Sequence, residues 1–213
     1  MVSSSAPEHD ALKPSKAAKA VATRRSLVDA ARALFGEQGY AATSVDEIVR
    51  SAGVTKGALY HHFRDKDDLF RAVVEDVKRD VTDVVGAAFR SATAESETME
   101  SLELGCRAFV EAHLDPAVQR ISILDARSVL DASTRRTLDA RYEVAVIRGA
   151  FRRAMRLGAI DTQPLVPLAH IMAGALAEAC ALIAESDEPE RARAETNGVI
   201  ASLLDGLRAT PSS

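Results

Sequence analysis

Lys56, Gly57, Tyr60 and His61 place a cation, two hydrogen-bonding rings and a bare stretch of backbone on one side of less than two helical turns. Groups of these kinds at this spacing suit a polyanion that also displays base edges. Lys56 can pair with guanine acceptors or with phosphate, and Tyr60 can donate to phosphate or pack on a thymine methyl. Gly57 and Ala58 carry almost nothing outward, so the helix backbone can approach a groove closely. Elsewhere the chain has no phosphate-cradling glycine loop, no paired-histidine metal motif and no nucleophile elbow. Five scattered histidines, two of them adjacent, are poor material for catalysis. An all-α enzyme is the rival from another class, and neither a cofactor nor a metal is expected.

Those side chains need a helix to hold them, and the flanking sequence supplies one. Ser44 with Glu47 three residues later is a capping box, so a helix begins at Val45 with Val45, Ile48, Val49 and Ala52 on its apolar face. Gly53 ends it, and Thr55 caps a second helix from Lys56 to Phe63, whose Leu59 and Phe63 turn inward. Two short helices around a tight glycine turn form a helix-turn-helix, whose second helix enters the major groove. A preceding helix from about Arg24 to Gln38, capped by Thr23 and stopped by Gly39, roofs the pair with Leu27, Ala31, Leu34 and Phe35. Arg24 and Arg25 near its start are within reach of phosphates.

Gly39-Tyr40, Thr43-Ser44, the run from Ala52 to Gly57, Leu59 to Phe63 and Lys66 to Leu69 together resemble the N-terminal domain of the tetracycline-repressor (TetR) family, over roughly residues 23 to 75. The resemblance implies an all-α chain with a three-helix helix-turn-helix domain, followed by a larger helical ligand-binding and dimerisation domain. It implies that Lys56, Gly57, Ala58, Tyr60 and His61 meet bases or backbone of double-stranded operator DNA, and that Ser44, Thr55 and Lys66 anchor phosphates. It also implies homodimerisation through the last two helices, about 163–207, and a small-molecule effector bound among the C-terminal helices. Candidate lining groups for that effector are Cys106, Phe109, His113, Asp125, Tyr142, Phe151, His170, Met172 and Glu178. The expected bounds are an arm over 1–20, a DNA-binding domain over 21–68 and an effector and dimerisation domain over 69–213.

Composition agrees with this division. Hydrophobic residues make up 47% of 213, enough for a packed core, while 4% aromatic content and the absence of convincing alternating β-branched runs favour helices throughout. Lys13 to Lys66 hold ten cations against five carboxylates, within a chain whose net charge is −4. A basic head on an acidic body directs polyanions to one end. Cys106 and Cys180 follow no metal-ligand spacing and suit buried thiols in a reducing cytoplasm. No signal peptide or membrane span is expected, since the most apolar stretch, Ile171 to Ala184, is short and contains Glu178.

Beyond the basic head, Asp65 caps a long helix whose stripe of Leu69, Val73, Val77, Val81 and Ala88 must leave the small domain and enter the next. Ser91 to Thr98 is a turn, and a helix follows over Met99 to Leu114 until Asp115-Pro116 punctuates it. Ala117 to Leu130 is helical in two pieces, and Thr134 to Leu157 is one helix with Arg148, Arg152 and Arg156 on a solvated face. The last two helices span about Gln163 to Ser186 and Glu188 to Leu207. On the first of them, Ala169, Ala173, Ala177 and Ala181 form a smooth ridge for close helix contact.

Overall fold

The computed structural model describes residues 15–91 and 98–209, and among these every extended element is helical. α1 (Lys16–Gln38), α2 (Val45–Ser51) and α3 (Lys56–His62) make the small N-terminal unit, and α4 (Lys66–Phe89) runs out of it. The body comprises α5 (Thr98–Ala112), α6 (Pro116–Gln119), a π-helical segment (Arg120–Asp125), α7 (Ala126–Val129), α8 (Ala132–Arg141), α9 (Glu143–Arg156), α10 (Leu165–Ala184) and α11 (Pro189–Asp205).

Side-chain caps set most of the starts. Ser44 and Glu47 form the complete reciprocal box, Thr55 accepts the Ala58 N–H, Asp65 accepts the Asp68 N–H, and Asp115 and Asp131 each accept two N–H groups at the starts of α6 and α8. α1 departs from expectation. Its cap is Ser15, whose Oγ accepts the Ala18 N–H at 3.1 Å, because the alanines before Thr23 sustain the helix for two more turns. Lys16 and Lys19, expected in an arm, therefore stand on a helix; Lys13 and residues 92–97 of the expected turn lie outside the described residues.

Two other stretches are subdivided. The expected single helix from Thr134 breaks at Tyr142 (φ −106°, ψ −80°), where the Tyr142 hydroxyl and Arg141 both bond Glu75 on α4 at 2.8 and 2.7 Å. The stretch after Pro116 is interrupted as expected, by a π turn rather than a gap.

α4 is the shared beam. At its N-terminal end Phe70 meets Phe35 and Tyr40 edge-on at 5.2 and 5.0 Å, over a core of Leu27, Ile48, Leu59 and Leu69. Nearly two turns further, buried Asp76 accepts from Arg25, Arg32 and Arg79 at 2.9 to 3.0 Å and ties α4 to α1. Arg25, expected near phosphate, is thus committed to carboxylates of its own chain, Asp29 included. Further along, Lys78 is buried and paired with Glu143 at 2.7 Å and Asp139 at 2.9 Å.

α10 packs against α9 and α11, with Ala169, Ala173 and Ala181 turned into the core and Ala177 half-buried. The alanine ridge therefore serves contact within the chain. The opposite side of the hairpin leaves Ile171 70%, Leu182 57%, Val199 60% and Leu203 51% exposed. By length and mean hydropathy (1.7), the 20-residue α10 is apolar enough to cross a bilayer, more so than the shorter stretch expected from sequence. A core helix meets the same test, and Glu178 and His170 lie on its exposed side. Arg148, Arg152 and Arg156 are exposed, and both cysteines are buried thiols pushed up to about 12 by desolvation.

His113 is an ionisable group sealed in this core, its Nδ1–H donated to the Phe109 carbonyl at 2.8 Å. Burial, with help from the nearby Lys78 charge, holds it down to about 4 against the bond to Phe109. Unfolded histidine titrates near 6.5, so its contribution is complete above that pH and is lost as the pH falls toward 4, by about 2 kcal/mol at pH 5. Urea melts of the protein at pH 7.5 and 5 should show this loss, and His113→Leu should make the slope shallower over the same window. An unchanged slope would rule out the neutral, buried imidazole as its source.

Candidate nucleic-acid interface and effector cavity

α3 is a short helix held by one side. Leu59 is fully buried and Phe63, the C-cap, is 3% exposed, with Arg24 stacked over its ring at 5.0 Å. Facing outward are Lys56, Gly57, Tyr60 at 54% exposure and His61, while Ala58 and His62 are half-buried. The Lys56 ammonium meets Asp46 on α2 at 2.8 Å, which raises its affinity for the proton and keeps it charged. Gly57 is informative. A Cβ built there would meet nothing closer than the Thr55 hydroxyl at 3.8 Å, and its φ is not positive. Packing within the chain thus does not require glycine at this position in the first turn of α3.

The expected phosphate anchors differ among themselves. Ser44 and Thr55 are exposed at the N-termini of α2 and α3, though both hydroxyl oxygens already serve as caps. Lys66 is half-buried and donates to the Tyr40 and Thr43 carbonyls, each at 2.9 Å, beneath the Tyr40 ring. Two of its three donors are engaged in bracing that turn.

The turn is gripped from the other side by the body. The last carbonyls of α1, on Gly36 and Glu37, lack partners within the helix, and Arg120 donates to both, at 3.0 Å to Gly36. Asp125 accepts the Tyr40 N–H at 2.8 Å. Gly36 sits so close to α6 that a Cβ would come within 2.6 Å of the Ala117 Cβ, and Gly39 turns at φ +85° beside Arg120 and Asp125. The two ends of the π segment therefore hold the small domain.

The middle of the same segment borders a cavity of about 330 Å³, enclosed also by α4, α7, α8, α9 and α10. Its apolar wall includes Val74, Ile123, Leu130, Leu138 and Val144; its polar wall includes Lys78, Arg127, Arg135, Arg136, Asp139 and Glu143. Burial works against the Lys78 charge, but Glu143 and Asp139 outweigh it and the ammonium is held above its usual range. Of the nine residues expected to line such a site, His170 alone is on its wall. Cys106, Phe109, Phe151 and Met172 are packed into the core, and His113 is bonded to Phe109. Tyr142 bonds Glu75, Asp125 holds Tyr40, and Glu178 lies outside the wall, paired with Arg127 at 3.3 Å. The polar wall did leave a trace in the sequence. Lys78 stands four residues after Val74 and Glu143 four before Ile147, each a charge on an apolar stripe. Among the described residues no cluster suits a metal ion.

Residues 99–207 match the profile described as the tetracyclin repressor-like C-terminal domain, and residues 27–73 match that of bacterial regulatory proteins of the tetR family. The crystal structure of a tetR-family transcriptional regulator from Pectobacterium atrosepticum is 33% identical, with a TM-score of 0.79 over 93% of this chain and 100% of its own. The HTH-type transcriptional regulator AcrR of Shigella flexneri is 51% identical over 53 residues, 25% of each chain. The HTH-type transcriptional repressor AcnR of Corynebacterium glutamicum is 27% identical over 59% of this chain and 69% of its own. The chain thus spans about a quarter of the length of the first curated relatives it matches.

The grip on the Tyr40 turn is open to direct measurement. Asp125→Ala leaves the Tyr40 N–H without its acceptor and should cost about 1–3 kcal/mol. Amide hydrogen exchange should quicken at Tyr40 while α3 retains its protection. Unaltered exchange at Tyr40 would mean that the carboxylate is not what holds the turn.

Proposed function

The chain belongs to the tetR family of bacterial regulatory proteins, and we propose that it is a ligand-responsive transcriptional repressor that binds a palindromic operator as a homodimer and is released by a small-molecule effector. The observation that carries the DNA-binding half is the outward face of α3, where a charged Lys56, Tyr60 and His61 surround a glycine that the fold itself does not need. A bare backbone there suits close approach to a duplex groove, with Lys56 exchanging Asp46 for a guanine edge or a phosphate. Ser44, Thr55, Ala58 and the remaining donor of Lys66 lie around that face as supporting contacts. The named relatives are transcriptional regulators rather than enzymes, and a cytoplasmic site of action follows from that role.

One α3 reads only a few base pairs, too few to find one site in a genome. A two-fold pair doubles the readout and calls for matching half-sites. The exposed Ile171, Leu182, Val199 and Leu203 on α10 and α11 supply an apolar face for that pairing. A cavity of about 330 Å³ supports the sensor over a regulator of the same fold without an inducer. An effector against Ser122 and Ile123 would bear on the π segment, whose ends hold the small domain, and would release DNA if it binds more tightly to a setting in which the two α3 helices no longer match the operator.

The first experiment is to select genomic fragments bound by the protein and then screen for small molecules that release them. On a selected fragment, Lys56→Ala and Tyr60→Ala should each weaken binding about ten- to a hundredfold, with dimerisation and helical content unchanged. Full affinity in both variants would remove α3 from the reading. Separately, Leu182→Glu combined with Leu203→Glu should give a folded monomer by sedimentation, with operator affinity lost alongside. A variant that stays dimeric would exclude this face as the interface.

A further inference from the structure

Resting on the sensor reading above, we propose that the cavity takes a compact organic anion, a carboxylate on a small apolar body, with Arg135 and Arg136 as the groups that meet the carboxylate. Four cations line the cavity against two carboxylates, and they are not equally free. Lys78 is matched by Glu143 and Asp139, and Arg127 is drawn to Glu178. Among the described residues no acidic group pairs with Arg135 or Arg136, and the Arg135 Nε is buried with no hydrogen-bond partner.

An arginine that lines a cavity without a carboxylate partner leaves its charge uncompensated, and a carboxylate is the anion whose geometry matches the guanidinium fork. A cationic ligand would add to the positive excess left once Lys78 is matched. A neutral one would leave that excess uncompensated.

The rest of the wall sets the remainder of the ligand. Val74, Ile123, Leu130, Leu138 and Val144 offer aliphatic contact in the same cavity. The volume, about 330 Å³, lies at the small end of ligand cavities and suits a compact ligand such as a single ring or a short chain. The contacts also fall on the element that matters for signalling, because Ile123 and Ser122 belong to the π segment that grips α1.

The test uses the full chain with benzoate, phenylacetate, benzamide, benzylamine and inorganic phosphate, each scored by calorimetric titration and by release of a selected operator fragment. Benzoate or phenylacetate should bind, benzamide and benzylamine should not, and phosphate should bind at least about tenfold more weakly than the better carboxylate because it leaves the aliphatic wall uncovered. Arg135→Gln should weaken carboxylate binding at least about tenfold. If that variant does not fold, Arg136→Gln, at an exposed position, carries the same expectation. Binding of benzamide or benzylamine as tight as that of the carboxylates, phosphate binding equal to benzoate, carboxylate affinity unchanged in the arginine variants, or no carboxylate binding at all would each overturn the proposal. Carboxylate binding without operator release would instead overturn the sensor reading and leave the anion site standing.

Discussion

The carbonyls at the end of α1 and the N–H of Tyr40 need partners that α1 cannot supply, and the body supplies them from one short element. Arg120 donates to Gly36 and Glu37, and Asp125 accepts from Tyr40. Helix ends without such partners are costly when shielded from water, so the junction fixes how the small domain sits on the rest. α4 alone would be a flexible mount, since a single helix joins two bodies at one line. With the π segment as a second attachment, and with Asp76 tying α4 to α1 between them, the small domain is held at three points. The close approach of Gly36 to Ala117 shows how little room that seat leaves.

The same six residues form part of a cavity wall. Ser122 and Ile123 look into the cavity while Arg120 and Asp125, within one turn, look toward the small domain. A segment of six residues spans more than one full turn, so it presents side chains on both of its sides. The division of labour around Tyr40 is equally tight. Asp125 takes its N–H, Lys66 its carbonyl and ring face, and Asp67 its hydroxyl, so none of these three charged groups is free to act only on DNA.

Local chemistry was the legible part of the sequence. The Ser44–Glu47 box, Thr55, Asp65 and Asp115 each act within four residues of themselves, so their helices could be read from spacing alone. The outward face of α3 followed, because Leu59 and Phe63 had to point inward. What escaped were choices made between distant segments. The break at Tyr142 depends on Glu75, the fate of Asp125 on Tyr40, and the burial of Lys78 on Glu143, partners 65 to 85 residues apart. Residues of cavity-lining type, such as Phe109 or Met172, went into the core because an apolar side chain gains more from close packing than from bordering a void. Of the charges on the actual wall, Lys78 and Glu143 interrupt apolar stripes, whereas Arg127, Arg135 and Arg136 carry no such mark and patterning would have placed them in solvent.

α10 gathers these constraints on one helix. Its alanines at 169, 173 and 181 fill the core, His170, Ala173, Gly174 and Ala177 border the cavity, and Ile171 and Leu182 stand in solvent on the remaining side. A helix apolar on nearly every side is stable in water only when each side is covered. Within one chain the core side is packed, the cavity side leaves His170 and Gly174 exposed, and the third side stands in solvent and continues onto Val199 and Leu203 of α11. The hydropathy that gives α10 the look of a membrane span is therefore spread over three sides, of which one is packed, one borders the cavity and one is exposed. The cavity lies on the flank of that same helix and also borders the π segment, so one void adjoins both the helix that carries the outer face and the element that grips the small domain.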